Sequence, residues 1–214
     1  MNALQQEETT QLLRVAFWLS MVTIFYNLLE GTVATYYGLA DDTLALFGFG
    51  VDSFVEVLSG IGIAHMVYRM QRAGQEVAEQ DRFERQALQL TGFSFYLLAV
   101  SIVASSLLTL YTGEQPQTTR VGVIVSLLSI ATMFWLMRYK ERVGKELQSD
   151  PIISDAHCTR TCLYLSVLLL VSSGLYELFR VPYVNAIGAL GIAVFAAREG
   201  REAFQKSKGK ACSC

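Results

Sequence analysis

Long apolar runs separated by short polar breaks dominate the chain. Crossing the hydrocarbon layer takes roughly 20 mostly apolar residues in a helix. Six stretches approach or exceed that length: 12–39, 43–68, 87–112, 120–138, 152–179 and 181–197. Lipid offers the backbone no hydrogen-bond partner, so each stretch is predicted to be an α-helix. The expected fold class is all-α, a polytopic membrane protein built as a six-transmembrane-helix bundle. The first stretch is longer than a signal peptide's apolar core and carries Asn27 and Glu30, so it is expected to stay in the mature protein. The links at 40–42, at 113–119 and around Arg180 are short, which makes neighbouring helices antiparallel. The 69–86 link mixes arginines with Glu76, Glu79, Asp81 and Glu84, and reads as solvated helix extensions.

Charge then orients the bundle. Arg14, the link residues Arg69, Arg72, Arg82 and Arg85, and the link residues Arg138, Lys140, Arg142 and Lys145 fall on one side. Arg198, Arg201, Lys206, Lys208 and Lys210 join them, leaving only Arg120, Arg160 and Arg180 elsewhere. By the positive-inside rule both termini are expected to be cytoplasmic. The expected organisation is one transmembrane domain over 1–205 and a short flexible Lys- and Cys-containing cytoplasmic tail over 206–214. Charged residues make up 17% of the chain and hydrophobic ones 52%. Soluble domains carry about 25% charge, so a soluble enzyme is excluded. A net charge of −2 gives no electrostatic reason for a nucleic-acid partner. The chain is expected to be an integral, multi-pass protein of a cell or inner membrane.

Polar residues inside the apolar stretches need a reason. A carboxylate at the bilayer centre costs about 2.5–3.5 kcal/mol on the insertion scale. Asp52 and Glu56 lie four residues apart, on one helical face, and repel unless a cation sits between them. Gly48, Ser53, Ser59 and Gly60 around them let another helix approach. In the fifth stretch Asp155, Cys158 and Cys162 share a stripe, with His157 about 100° from Cys158. Thiols one turn apart can close on a single metal ion, whereas a disulfide between them is geometrically poor on a regular helix. Buried cysteines are also ordinary small packing residues; the nearby carboxylate pair favours the metal. Both pairs fall towards mid-bilayer at 1.5 Å rise per residue. The expected metal site is Asp52, Glu56, Cys158 and Cys162, an O₂S₂ set that suits Zn²⁺ and softer ions. Accessory candidates are Asp155, His157, Glu30 and Asn27, while Arg160 is expected to pair with Asp155 or Glu30. His65 reads as an interfacial residue, and Cys212 and Cys214 as a loose terminal metal signal.

These residues resemble the membrane domain of the cation diffusion facilitator family, in which helix 2 carries Asp-x-x-x-Asp and helix 5 His-x-x-x-Asp. Asp52-Ser-Phe-Val-Glu56 is similar to the first pair. Ser154-Asp155-Ala156 followed by Cys158, Arg160 and Cys162 is similar to the family's Ser-Asp-Ala-x-His-x-Arg-x-Asp run. Asn185-Ala-Ile-Gly-Ala-Leu190 resembles a helix 6 segment that begins with Asp in the family. The resemblance covers roughly 12–205. Cys158 stands for the family's His and Cys162 for its Asp, which makes half the ligands thiolates. The family's usual cytoplasmic metal-binding domain has no counterpart in the 17 residues after the sixth stretch.

The resemblance implies a secondary transporter of divalent metal cations, Zn²⁺ first and softer ions such as Cd²⁺ next. Zn²⁺ or another divalent transition metal is then the transported ligand. Protons are the expected counter-ion, because carboxylates and thiols shed protons when they bind metal. The lipid bilayer and a second copy, in a homodimer held by membrane helices, are the expected partners. The rival reading is a non-transporting membrane sensor or assembly subunit holding one structural ion. No nucleophile–base pair points to an enzyme.

Overall fold

The computed structural model describes residues 3–40, 44–73, 77–113, 120–179 and 184–208. Among these residues there are six helices: α1 Ala3–Ala40, α2 Leu44–Ala73, α3 Val77–Thr112, α4 Arg120–Glu146, α5 Asp150–Phe179 and α6 Val184–Ser207. The fold is the expected all-α polytopic bundle. Among the described residues, four helices contain stretches long and apolar enough to cross a membrane: Glu7–Ala40, Leu46–Gln71, Arg82–Thr112 and Gly122–Glu146. α5 packs along α4, α2 and α3, and α6 along α3 and α5. Cys212 and Cys214 lie outside the described residues, as do the side chains of Glu177, Arg180 and Asn185.

The bundle has apolar side chains outside and polar ones within. Trp18, Phe25, Leu29, Val100 and Leu128 are exposed, as lipid-facing positions should be. Ser20, Thr23, Thr91, Ser129 and Ser166 are buried. Many hydroxyls are satisfied locally: Ser20 and Thr23 donate to the carbonyls of Ala16 and Leu19, four residues back, at 3.0 and 2.9 Å. Others tie helices together, as at Ser129–Ser166, 2.9 Å across α4 and α5.

Close backbone contact sets the relative height of the helices. A Cβ on Gly50 of α2 would sit 2.6 Å from the Thr35 amide nitrogen and 2.9 Å from the Gly31 oxygen, both on α1. Only glycine permits that crossing. Gly92 and Gly200 perform the same role between α3 and α6, where a Cβ on Gly200 would stand 3.2 Å from the Gly92 oxygen.

The α4–α5 link is tighter than the apolar pattern suggests. The 120–138 stretch marks only the greasy part of a helix that continues to Glu146. Gln148, at φ 52°, ends it in the left-handed region. The Ser149 amide reaches the Gly144 carbonyl at 2.9 Å, and the Gln148 amide reaches the Lys145 carbonyl at 3.2 Å. This pair of bonds is a Schellman motif. The helices therefore reverse within three residues, and Lys140, eight residues before Gln148, faces α5 about seven residues after it. Lys140 is thus corrected from a link residue to a helical one inside the span.

Gly50→Ala should cost about 1–3 kcal/mol through overpacking against α1. Gly191→Ala, with nothing within 4 Å of the new methyl group, should be neutral or gain up to about 1 kcal/mol from helix propensity. Thermal unfolding of the two purified variants in detergent checks this contrast.

Candidate metal site

The stripe Asp52–Glu56–Ser59 of α2 faces the stripe Asp155–Cys158–Thr159–Cys162 of α5, with Lys140 of α4 beside them. Asp155 is fully enclosed: its Oδ1 accepts a bond from Ser59 Oγ at 2.6 Å, and its Oδ2 lies 2.8 Å from Lys140 Nζ. The ammonium also donates to Thr159 Oγ1 at 2.8 Å. The Thr159 hydroxyl in turn donates to Glu56 Oε1 at 2.5 Å, and Lys140 Nζ stands 3.8 Å from that same oxygen. Glu56 is 0% exposed and Lys140 2%. Glu56 Oε2 has no hydrogen-bond partner among the described residues. Two carboxylates and one ammonium in a low-dielectric interior attract strongly, and that attraction must offset the desolvation of all three.

Both cysteines are buried free thiols. Cys158 packs in an apolar cluster with Val55, Phe95, Leu98 and Ala196, within electrostatic reach of Glu56 and Asp155. Cys162 adjoins Glu56. Asp52 turns the other way, and its Oδ1 accepts from Ser101 Oγ of α3 at 2.5 Å. It lines a cavity of about 50 Å³ with Gly48, Ser105, Ser106 and Thr109. That cavity lies towards the end of the bundle where α2 begins and α3 finishes. Asp52 and Glu56 are both within electrostatic reach of the two cysteines, but Asp52 is bonded to α3 and Glu56 to α5. Among the described residues, no three His, Cys, Asp or Glu side chains are gathered closely enough to hold a metal ion. Lys140 stands between Glu56 and Asp155, and Ser101 draws Asp52 towards α3.

The accessory candidates separate into three environments. Asp155 belongs to the central group. Glu30 of α1 accepts from Tyr26 on one oxygen and from Ser53 of α2 on the other, both at 3.0 Å. Asn27, 0% exposed, donates to the Thr23 carbonyl at 3.0 Å and leaves its own oxygen unpartnered among the described residues. His157 is turned to α6, with Nδ1 2.6 Å from Glu199 Oε2.

Arg160 pairs with Glu199 as well, Nη2 to Oε1 at 3.3 Å, and not with Asp155 or Glu30. The reason is helical phase. Arg160 lies three residues after His157 and shares its face, while five residues from Asp155 is half a turn out of register. Glu199 lies beyond the apolar stretch of α6. Partial burial pushes its carboxyl up, but the His157 hydrogen bond and the His157 and Arg160 charges outweigh that and hold it below the usual carboxylate range.

The charge count along the sequence missed Lys140, because a lysine just past the apolar stretch looks the same as a link residue although α4 runs on to Glu146. Ser59, Thr159 and Ser101 were missed because serine and threonine are common in membrane helices. Two of them did leave a signal: Thr159 lies four residues after Asp155 and Ser59 three after Glu56, on the same stripes as the acids.

The fold and this interior define a polytopic membrane bundle with acidic, thiol and ammonium groups at its centre. Residues 20–208 match the cation efflux transmembrane domain, and the chain belongs to that family. It is similar to an uncharacterized transporter of Methanocaldococcus jannaschii, 26% identical over 180 residues, covering 83% of this chain and 63% of that protein. It is also similar to transmembrane protein 163 of Xenopus laevis, 24% identical over 192 residues, covering 89% of this chain and 66% of that protein. The magnetosome protein MamB of a Magnetospira strain is 24% identical over 116 residues, covering 54% of this chain and 39% of that protein. The chain therefore spans at most 66% of the length of these curated relatives.

Breaking the buried pair should be far more damaging than breaking the half-exposed one. Asp155→Asn leaves the Lys140 ammonium without its nearest carboxylate and should cost about 3–5 kcal/mol. Glu199→Gln should cost about 1 kcal/mol or less. Melting of the two variants, purified side by side in one detergent, measures the difference.

Proposed function

We propose that this protein is a secondary transporter that moves a divalent transition-metal cation, Zn²⁺ foremost, across a membrane in exchange for protons. The observation that carries this reading is the match of residues 20–208 to the cation efflux domain. The orphaned Glu56 Oε2 beside two buried thiols supports it, since an unsatisfied buried carboxylate oxygen is costly unless something is meant to bind it.

Asp52, Glu56, Cys158 and Cys162 are the proposed ligands. In this reading the four draw together only when metal binds, and Asp52 leaves Ser101 to do so, which gives the site two arrangements. Binding metal strips protons from the acids and thiols, and release restores them. A site that opens alternately to each face thereby couples the two fluxes. In this reading both termini are cytoplasmic, the cavity beside Asp52 opens to the opposite face, and two copies associate through membrane helices.

Purified protein in proteoliposomes should take up Zn²⁺ with an opposing proton movement. Asp52→Asn, which keeps the side-chain volume, should lower the uptake rate at least about tenfold, a loss of roughly 1.4 kcal/mol of transition-state stabilisation. Retention of a single tightly held ion with no uptake would instead identify a structural site.

The thiolates should set ion preference. Soft donors favour Cd²⁺, while imidazole and carboxylate favour harder ions. Replacing Cys158 with His and Cys162 with Asp should therefore lower the Cd²⁺/Zn²⁺ uptake ratio. An unchanged ratio with transport intact assigns both cysteines to packing.

A further inference from the structure

We propose that Lys140 is a tethered resident cation of the transport site: its ammonium and the metal cargo compete for Glu56, and this competition sets both the affinity and the valence of the cargo. The inference rests on the transporter reading above and extends it to a residue outside the ligand set.

The two carboxylates hold Lys140 unequally. Asp155 Oδ2 touches the ammonium directly at 2.8 Å, with Ser59 locking the other oxygen at 2.6 Å. Glu56 is reached only at 3.8 Å, beyond hydrogen-bond length, and is joined to Lys140 through the Thr159 hydroxyl. Asp155 is therefore the anchor and Glu56 the partner that can leave. The second oxygen of Glu56 is fully buried and meets no N–H or O–H donor among the described residues, with the Cys162 thiol as its neighbour. A cation arriving there meets one carboxylate already partly neutralised by a charge that cannot diffuse away.

The consequences follow from Coulomb's law at short range. A monovalent ion brings no more charge than the tethered ammonium whose place it takes, so it gains little at Glu56. A divalent ion brings twice the charge and two thiols as further ligands, so it can take Glu56 while Lys140 withdraws to Asp155. On release, the ammonium returns to Glu56 and helps expel the cargo. Lys140 is in this sense a specificity-determining and positioning residue, since it acts on the cargo through Glu56.

The test is concentration-dependent Zn²⁺ and Cd²⁺ uptake into proteoliposomes by Lys140→Gln, Lys140→Arg and the charge-neutral double variant Lys140→Gln with Asp155→Asn. Removing the ammonium should lower KM about tenfold or more and lower the maximal rate, because release loses its push. Lys140→Arg keeps the charge and should hold KM within about twofold. The double variant leaves no unbalanced anchor carboxylate, so it remains informative if the single Gln variant does not fold, and it should show the same fall in KM. Cd²⁺ binding to the detergent-solubilised variants, followed by calorimetry, should tighten in parallel. A KM unchanged or raised in the double variant, with wild-type uptake intact, overturns the role of Lys140. Failure of the wild-type protein to bind or carry either metal overturns the transporter reading itself.

Discussion

A buried ammonium between two buried carboxylates is the interaction on which the interior depends. Lys140, Asp155 and Glu56 belong to three helices, and each is too enclosed to be solvated. In lipid-bounded protein none of them is tolerable alone. Together they tie α2, α4 and α5 to one another at the level where the backbone contacts place them, and the hydroxyls of Ser59 and Thr159 fill the remaining hydrogen-bond positions. The polar interior is therefore continuous from α4 across to α2, and Ser101 extends it to α3 through Asp52.

Backbone contact makes that geometry available. The Gly31–Gly50 and Gly92–Gly200 crossings bring helices closer than side chains would allow. The Schellman turn at Gln148 gives α4 and α5 a fixed offset, which carries Lys140 to the level of Asp155 and Thr159. At the same level on the outside of α5, His157 and Arg160 share Glu199 of α6. α5 is thus clamped on two faces by ionic contacts, one dry and one half-exposed. These contacts differ in kind: the dry one lies in a low-dielectric interior, while the half-exposed one is screened by water.

Membership of the cation efflux family explains why such a costly interior persists. A bundle that only had to be stable would replace the buried acids by packed apolar residues at no loss. Two thiols take the places where the resemblance expects imidazole and carboxylate.

The helices, their antiparallel order and the stripes of acids and thiols were legible in the sequence, because a bilayer forces backbone groups to pair within each helix and makes every intramembrane charge conspicuous. Asp52 and Glu56 announced themselves by cost, and Cys158 and Cys162 by spacing. Partner choice was not legible. The spacing within α5 already turns Arg160 away from Asp155, but that Glu199 would be its partner depended on where α6 is placed. Asp52 and Glu56 share a stripe yet answer to different helices, a division made by Ser101 on one side and Thr159 on the other. Lys140 looked like one more cytoplasmic charge until the three-residue reversal at Gln148 folded it against α5. Local periodicity determined which residues face inward; only tertiary packing decided which of them meet, because the height of one helix against its neighbour is set by glycine contacts and turn geometry far along the chain from the charges they bring together.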